Sequence, residues 1–339
     1  MSSGITLIAE KAEVSISAVS KVLNNYSGFS ISEKKRRRIL QIVKKLGYQA
    51  NPAARGLKSG KSGTMGIILH SVNFFSAKLI SSLEKLLSAG NYSLLVSCSH
   101  CDIKKETELI SQLNRRLCDA LLIVSCFSGT GISLASYKKI IPENKRILFL
   151  DSDLPDHTIN SITSENTQGA FIAAGLGKKA GFLKYKYIAS GLGMSVLKER
   201  FDGFCRGARD AAAEFHPEKD RIKTDSAGLS DFFSLLQKRK KIFFFFESFE
   251  SLPELLPLIK QSKAVHGRDF FLSGFDEPYF ENPFELLSVY RESFARPVPW
   301  LKQNISSLSQ AAADYLLQEQ EIKTPVRIKI PLNFINFKE

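Results

Sequence analysis

Apolar residues near the start of the chain recur at the spacing of amphipathic helices. One run comprises Ile5, Ile8, Ala9 and Ala12, and a second, within VSISAVSKVLNN, comprises Val19, Val22 and Leu23. Ser15 stands where the second helix needs an N-cap. A third helix is predicted to begin near Ser32 and to carry Ile39, Val43 and Leu46 inward. Two short helices joined by a tight turn and backed by a third predict a helix-turn-helix.

From about Thr64 the pattern changes to short, uninterrupted apolar runs that alternate with helical patterns. The predicted strands are MGIIL, SLLVSC, ALLIVSC, RILFLD, YKYIAS, KIFFFF, FFLSGF and LLSVY. Consecutive apolar positions are typical of strands that are buried on both faces, as in a parallel α/β sheet. The FFFF at residues 243–246 is therefore predicted to be a buried strand. So many strands favour two lobes with a cleft over one open sheet.

The positive charge of the chain is concentrated at its N-terminal end. The 339 residues carry a formal net charge of +13, and residues 1–63 hold twelve Lys and Arg against three Glu. The cluster KKRRR lies in the first turns of the predicted third helix, where cations oppose the helix dipole unless an anion is near. A basic helix-turn-helix on a nearly neutral body predicts double-stranded DNA as the partner.

A short helix is predicted after the head, in NPAARGLKSGKSG. Asn51 can cap it, and Pro52 suits its first position. So short a helix is marginal in water, and Gly56 weakens it further, so it should order only on a surface. Leu57 is its one large apolar side chain. The residues alone leave Leu57 open as a docking residue on the body or as a wedge in a DNA minor groove.

Signals for other classes of protein are weak. The five cysteines are odd in number and irregularly spaced, which indicates a reducing compartment. We expect a cytoplasmic protein without a membrane partner, because no signal-peptide pattern and no membrane-length apolar run are present. In SCSHCD, Cys98, His100 and Cys101 are too tightly spaced for a standard zinc pair, and GLGMSV lacks the third glycine of a dinucleotide fingerprint. We expect no metal, no cofactor, no catalytic residue and no enzymatic activity.

The stretches IAEKAEVSISAVSKVLNN, ISEKKRRRILQIVKKLGY and NPAARGLKSGKSGTMGII resemble the DNA-binding head, third helix and hinge of the lac repressor (LacI/GalR) family of bacterial transcription factors. The resemblance continues through the body with weaker motifs. It implies an all-α helix-turn-helix head with a hinge helix, joined to a two-lobed α/β domain of the periplasmic-binding-protein-like fold with parallel sheets.

The resemblance also implies domain boundaries. The head would comprise residues 1–48, the hinge helix and linker 49–63, and the effector-binding and dimerisation domain 64–339. Within that domain, lobe 1 would comprise about 64–163 and 293–325, and lobe 2 about 164–292 and 326–339. The chain would cross between the lobes three times.

DNA-contacting residues follow from the same resemblance. It implies base-edge contacts for Ile16, Ser17 and Lys21, and phosphate contacts or bracing of the head for Ser15, Ser20, Asn24 and Tyr48. In the hinge helix, which Asn51 begins, it implies minor-groove contacts for Ala54 and Leu57, and it favours the wedge role of Leu57. Because Lys21 stands where an arginine is usual, discrimination at guanine should be weaker. Glu13 stands where glycine is usual, so a positive φ there would strain the turn.

Ligands of two-lobed α/β domains lie in the cleft, at the carboxyl ends of the strands. The candidate effector-binding residues are Phe74, Phe75, Ser125, Asp151, Arg200, Glu247 and Asp276. The resemblance implies that Arg200, in KERFDGF, faces polar ligand groups, and that Asp151 and Asp276 take paired hydroxyls, as in sugar-binding relatives. Judged from the residues, each aspartate is as readily a helix N-cap after a strand.

The cleft also departs from that of sugar-binding relatives. Glu247 and Ser248 fall where an Asn-Asp pair is common, and LLSVYRESF is read in place of the usual Thr-Thr-Val-x-Gln-Pro crossover. The effector is therefore expected to be an unusual sugar or a nucleoside, with a degenerate pocket as the alternative.

Together these features predict a homodimeric, sequence-specific transcription regulator, in the first place a repressor, that prefers a pseudo-palindromic operator. Small-molecule binding between the lobes would move the two hinge segments and change the affinity for DNA. Two alternatives stay open. One is a DNA-binding regulator that has lost small-molecule control, and the more distant one is a solute-binding protein.

Overall fold

In the computed structural model the chain divides into two compact units, Met1–Gly63 and Thr64–Glu339. The described residues are 4–23, 26, 28–48, 61–115, 118–128, 137, 146–154, 159–277, 294, 296–318 and 324–336. The predicted hinge helix and the predicted strand LLSVY lie outside them.

The first unit contains the three helices that the apolar spacing predicts: α1 (Gly4–Ala12), α2 (Ile16–Leu23) and α3 (Glu33–Leu46). Their shared core consists of Ile8, Ala9, Ala12, Val19, Val22 and Ile39. The prediction that Leu46 points inward is wrong, because this side chain is 39% exposed. Helix α3 ends at that residue, and Tyr48 packs against the core after Gly47 reverses the chain in a left-handed conformation.

The turn between α1 and α2 contains a residue with positive φ, Glu13, at the position where the sequence analysis expects strain. Glu13 adopts φ 55°, a conformation that costs a residue with a Cβ about 1–2 kcal/mol. Its carboxylate accepts a hydrogen bond from the Arg38 guanidinium of α3 at 2.8 Å, and the same guanidinium donates to the Lys11 carbonyl at 3.0 Å. Arg38 therefore ties both ends of the strained turn to α3.

The second unit is built on two sheets. In spatial order, the first sheet contains β11 (Arg327–Ile330), β5 (Ser161–Ser164), β4 (Arg146–Leu150), β3 (Ala120–Val124), β1 (Thr64–Leu69) and β2 (Ser93–Cys98). The second contains β12 (Asn333–Asn336), β10 (Pro299–Lys302), β9 (Phe270–Phe275), β8 (Ile242–Phe246), β6 (Lys184–Ala189) and β7 (Arg221–Lys223). All described pairs are parallel except β10 with β12, which confirms the α/β fold class.

Helices cover both faces of each sheet. On the first sheet, α4 (Phe74–Ala89) and α10 (Ile305–Leu317) share one core, and α5 (Ile103–Arg115) covers the other face. On the second, α6 (Asn166–Lys179) and α7 (Ser195–Asp210) lie on one face, and α8 (Ser226–Gln237) and α9 (Leu252–Ser262) on the other. This double covering explains why the strands read as unbroken apolar runs.

Strand β8 is the buried strand that FFFF predicts. Phe244 and Phe246 belong to the core beneath α8 and α9, whereas Phe243 and Phe245 belong to the core beneath α6 and α7. Successive side chains of a strand point to opposite faces, so four consecutive rings serve two cores. All four side chains have zero exposure.

The chain crosses between the sheets three times, as the resemblance implies: after β5, after β10 and between β11 and β12. The sheets divide the chain at other points than the expected lobe boundaries. Strand β10 lies in the second sheet although 293–325 was assigned to lobe 1, and β11 lies in the first sheet although 326–339 was assigned to lobe 2. The strands that set these boundaries, β10 and β11, are four residues long and partly polar, so the apolar pattern does not mark them.

Within the part of the chain that the structure describes, no helix is both long enough and apolar enough to cross a membrane.

Candidate functional site

Helix α2 presents a polar face away from the core of the first unit. Ser17 and Lys21 are exposed, and Ile16 is 47% exposed although it is a large apolar residue. An exposed isoleucine beside a hydroxyl and a cation suits a surface that contacts thymine methyl groups and base edges. The Lys21 ammonium lies 4.9 Å from the centre of the Phe29 ring, so this cation is oriented before any partner arrives.

Other candidate DNA-contacting residues brace the head. The Ser15 hydroxyl accepts a hydrogen bond from the Ala18 amide at 3.1 Å, as an N-cap should. Tyr48 packs against the start of α1, where a Cβ on Gly4 would come within 2.8 Å of its ring. Ser20 is half-buried. Asn24, Asn51, Ala54 and Leu57 lie outside the described residues.

A cavity of about 90 Å³ lies between the two sheets of the second unit. Its walls come from strand ends and from the start of α7. The lining residues include His70, Phe75, Asp151, Met194, Arg200, Glu247, Asp276 and Gln303. The structure brings three of the predicted residues together, because Asp151, Glu247 and Asp276 follow β4, β8 and β9 and line one cavity.

Arg200, on α7, is the centre of the hydrogen-bond network in this cavity. Its side chain is 2% exposed, and its Nη1 donates to Asp276 at 3.1 Å and to the Glu247 carbonyl at 2.7 Å. Its Nε donates to the Asn166 amide oxygen at 2.9 Å, and its guanidinium lies 4.0 Å from the centre of the Phe275 ring. Each contact fixes the plane of the guanidinium, so Arg200 is held rigidly.

Asp151 enters the cavity from the end of β4. It is 5% exposed, adopts φ 46°, and its Oδ1 has no hydrogen-bond partner among the described residues. Burial raises the pKa of this carboxyl to about 7, while Arg200 opposes that rise and the Asp276 carboxylate adds to it. A strained backbone and an unpartnered buried oxygen are features of a ligand contact rather than of a helix N-cap.

Glu247 follows β8, and one of its carboxylate oxygens is occupied. Oε1 accepts hydrogen bonds from the backbone amide and the hydroxyl of Ser190. Oε2 is buried without a partner among the described residues, and burial raises the pKa of the carboxyl. The residue is 2% exposed and lines the cavity, so its free oxygen is kept from bulk water.

Asp276 is saturated by the protein. Its Oδ2 accepts from Arg200, and its Oδ1 accepts from the Gln303 side-chain amide at 2.8 Å. Gln303 in turn accepts from the Ser164 hydroxyl at 2.8 Å, which links the crossing after β10 to the crossing after β5. Asp276 therefore holds both Arg200 and the crossing segment at Gln303 in place.

The aromatic pair lies at the wider end of the cleft. Phe75 lines the inner cavity, and both Phe74 and Phe75 line an adjoining cavity of about 270 Å³. The Lys78 ammonium sits 3.8 Å from the centre of the Phe74 ring and pairs with Glu277 at 3.1 Å, which joins the two lobes. Phe74 is thus a rim residue and Phe75 a wall residue.

Ser125 is not brought to the cavity. It has zero exposure, its hydroxyl lies 2.9 Å from the Tyr137 hydroxyl, and the Phe127 amide donates to it at 3.1 Å. Its chain position after β3 matches that of a cleft residue, but its side chain turns into lobe 1 and satisfies a buried polar cluster. The expectation that Ser125 contacts the effector is therefore corrected.

Gln303, Asn166 and Met194 are cavity or network residues that the sequence reasoning missed. The crossover was read in LLSVYRESF, whereas the chain crosses in PWLKQN, after β10. The sequence does mark this crossing, because Gln303 is followed by Asn304, a good N-cap residue. The Asn304 side chain caps α10 by accepting from the Ser307 amide at 3.0 Å. Strand β10 escaped notice because it begins with proline and carries only two large apolar residues.

A basic helix-turn-helix and a two-lobed α/β body with a polar cleft, in one chain, define a DNA-binding transcription regulator. The model for "Bacterial regulatory proteins, lacI family" matches residues 5–51. The HTH-type transcriptional regulator RegA of Clostridium saccharobutylicum is 26% identical over 250 residues, which cover 71% of this chain and 73% of RegA. Residues 5–51 thus match the LacI family of bacterial regulatory proteins, and 71% of the chain is similar to a transcriptional regulator.

Solved structures show the same fold. The lac repressor dimer bound to operator and the anti-inducer ONPF matches with a TM-score of 0.79 at 18% identity, covering 97% of this chain and 96% of that one. The Cra transcriptional dual regulator from Pseudomonas putida in complex with fructose 1-phosphate matches with a TM-score of 0.66 at 20% identity, covering 81% of this chain and 98% of that one.

Proposed function

We propose that this regulator acts as a homodimer on a pseudo-palindromic operator and that a small molecule bound between the lobes controls its affinity for DNA. The observation that carries the proposal is the cleft itself. Arg200 is buried and fixed there, while Asp151 and Glu247 each keep an oxygen without a partner among the described residues. Buried polar groups without partners are costly unless a ligand satisfies them.

The head supports the DNA-binding half of the proposal. Its exposed face on α2 offers Ile16, Ser17 and Lys21, and α3 adds the exposed cations Lys34, Lys35 and Arg37. A single head reads one half-site, so a dimer would require two half-sites related by symmetry. We place the hinge at residues 49–63, with Leu57 as the side chain that enters the minor groove at the operator centre.

Coupling between cleft and DNA requires that the lobes have two arrangements. A ligand changes the DNA affinity only by as much as its affinity differs between those arrangements. The lobes meet through Ser195, Ser128 and Asp153 and through the pair of Lys329 with Glu199 at 2.6 Å. These are exchangeable polar contacts, which suits a reversible change in lobe angle.

In vitro selection of bound duplexes from random DNA tests the DNA-binding half. We expect a symmetric motif with a flexible pyrimidine–purine step at its centre, because such a step is easily kinked. The variant Leu57→Ala should lose affinity for the selected duplex far more than for random duplexes. Failure to enrich any motif, with or without metabolites, would contradict sequence-specific binding.

A regulator that no longer responds to small molecules is the second candidate, and one observation favours it. The inner cavity, at about 90 Å³, is smaller than the roughly 300–1,000 Å³ of ordinary ligand pockets. An apolar cluster of Cys126, Met194, Val196 and Leu197 fills the cleft beside it. Ligand-induced stabilisation of the full chain would exclude this candidate, because a binding ligand raises the unfolding free energy.

A further inference from the structure

The inner cavity offers hydrogen-bond acceptors without matching donors. Asp151 Oδ1 and Glu247 Oε2 are both unpartnered among the described residues, and the two side chains are more than nine-tenths buried. Both residues line the cavity. An ionised carboxylate only accepts hydrogen bonds, so the missing partner of each oxygen must be a donor.

The protein supplies too little positive charge for these carboxylates. Arg200 is the one Arg or Lys among the described residues that line the inner cavity, and its Nη1 and Nε donate to Asp276, to the Glu247 carbonyl and to Asn166. His70 also lines the cavity, but burial lowers its pKa, which favours its neutral form. Arg200 is thus matched by Asp276, and the carboxyls of Asp151, Glu247 and Glu250 are left over.

The electrostatic state of Asp151 agrees with this excess of acid. Its pKa of about 7 results first from burial, and the carboxylates of Asp276, Glu199 and Glu250 raise it further. Near neutral pH this carboxyl is therefore divided between its charged and neutral forms. A cation beside it would favour the charged form and would be held by a charge-assisted hydrogen bond.

The shape of the cleft sets the size of such a cation. The inner cavity of about 90 Å³ accepts a small charged head, and the adjoining cavity of about 270 Å³ shares Phe75, Glu250, Asp276 and Gln303 with it. The outer cavity is lined by the polar Asn304 and Ser306 and by Lys78 and Lys302, which both pair with Glu277. A hydroxylated body would therefore lie in the outer cavity while the head group lies in the inner one.

We propose that the cleft selects a small hydroxylated primary amine, whose ammonium donates to Asp151 Oδ1 and Glu247 Oε2, over a neutral sugar or a phosphorylated one. An ammonium carries three donors on a compact charge, which matches two free acceptors in a narrow cavity. A phosphate would bring further negative charge to a cavity with surplus carboxyls. This inference rests on the proposed control of the regulator by a ligand in its cleft.

Two matched sets of probes test the selection on the full chain. The first set is serinol, glycerol and glycerol 3-phosphate, and the second is glucosamine, glucose and glucose 6-phosphate. Calorimetry and thermal unfolding should show binding of the amine in at least one set, with at least 10-fold weaker binding of its neutral and phosphorylated counterparts. The affinity of that amine should rise from pH 5 to pH 7 as Asp151 ionises.

Carboxamide variants locate the ammonium. Asp151→Asn and Glu247→Gln should each weaken amine binding at least 10-fold, and Asp151→Asn should also remove most of the rise with pH. Glu214→Gln is the matched control, because Glu214 pairs with Lys184 on the surface of the second lobe and its side chain is 72% exposed. Should Asp151→Asn fail to fold, Glu247→Gln and the pH dependence of the wild type decide the question.

The proposal is overturned if a neutral or phosphorylated probe binds as tightly as its amine, if neither amine binds, or if both carboxamide variants bind the amine like the wild type. Measuring DNA affinity separately distinguishes it from the proposed function. An amine that binds at Asp151 without changing affinity for the selected duplex supports the ligand class and contradicts ligand control of DNA binding.

Discussion

The Asp153 amide, just after β4 in the first lobe, donates a hydrogen bond to the Ser195 hydroxyl at 2.8 Å, at the start of α7 in the second lobe. The same hydroxyl accepts from the Ser128 hydroxyl at 3.0 Å, and the Ser195 amide donates back to Ser128 at 3.0 Å. Ser195 is thus held by two segments of the opposite lobe.

Removing the Ser195 hydroxyl should weaken this contact between the lobes. A hydrogen bond contributes about 1 kcal/mol net, so Ser195→Ala should raise the hydrogen-exchange rate of the Asp153 amide about 5-fold. Mass spectrometry of the peptide that contains Asp153 measures this change. Ser88→Ala is the control, because the Ser88 hydroxyl donates to the Lys85 carbonyl within the same helix, α4. An unchanged exchange rate would show that Ser195 does not hold the lobes together.

Asp151 should make stability depend on pH. Its pKa is about 7 in the folded protein and near 3.8 when unfolded, so between these values the folded state binds more protons. This contribution is fully present below pH 4 and is lost as the pH rises through 7. The unfolding free energy of Asp151→Asn should therefore increase relative to wild type from pH 4 to pH 7, by up to about 4 kcal/mol.

Urea unfolding at several pH values measures that difference. Exposed Asp210, at the end of α7, provides Asp210→Asn as the control for the substitution itself. A constant difference between Asp151→Asn and wild type across this range would mean that Asp151 ionises normally in the folded protein.

The strained turn of the head should tolerate glycine better than glutamate. Glycine adopts the φ of 55° at position 13 without a Cβ penalty of about 1–2 kcal/mol, while the lost pair with Arg38 is exposed and worth about 0–1 kcal/mol. Glu13→Gly should therefore slow amide exchange in α1 and α2. Glu10→Gly, inside α1, should do the opposite by about 1 kcal/mol. Faster exchange in Glu13→Gly would show that the Arg38 pair outweighs the strain.

Lysine at position 21 should limit how sharply guanine is recognised. A guanidinium can grip O6 and N7 of guanine together, and such a bidentate pair is worth about 1–3 kcal/mol of discrimination. Lys21→Arg should therefore sharpen a guanine preference in selected duplexes by about 10-fold or more. Lys44→Arg, near the end of α3, is the matched control. No change at any base would place Lys21 away from base edges.

The periodic parts of this fold could be predicted from the sequence, and the reason is burial. The head helices show their spacing because one face of each is buried in a shared core. The central strands show unbroken apolar runs because both faces of their sheets are covered. The short strands β5, β7, β10, β11 and β12 have no such long apolar run. They are strands because their backbones pair with neighbouring strands at or next to the sheet edges. The crossover at Gln303 was missed for this reason.

The candidate site was predictable as a set of strand ends but not as a geometry. Asp151, Glu247 and Asp276 follow strong strands, so their shared location could be inferred. Which carboxylate oxygens accept hydrogen bonds from the protein depends on residues that are distant in the sequence: Gln303 donates to Asp276, and Ser190 donates to Glu247. A position at a strand end does not by itself place a side chain in the cleft. The Ser125 hydroxyl lies within hydrogen-bond distance of the Tyr137 hydroxyl and so points into lobe 1.

The three crossings between the sheets lie side by side. Strand β5 pairs with β11 up to Ser164 and Ile330, and β10 pairs with β12 up to Lys302 and Asn333, so the linking segments start from adjacent strands. Three adjacent tethers of one or two residues permit rotation and resist sliding. A ligand in the cleft would therefore change the angle between the lobes, by tilt or twist. The distance between the lobes at these three linkers would stay the same whether or not the cleft is occupied.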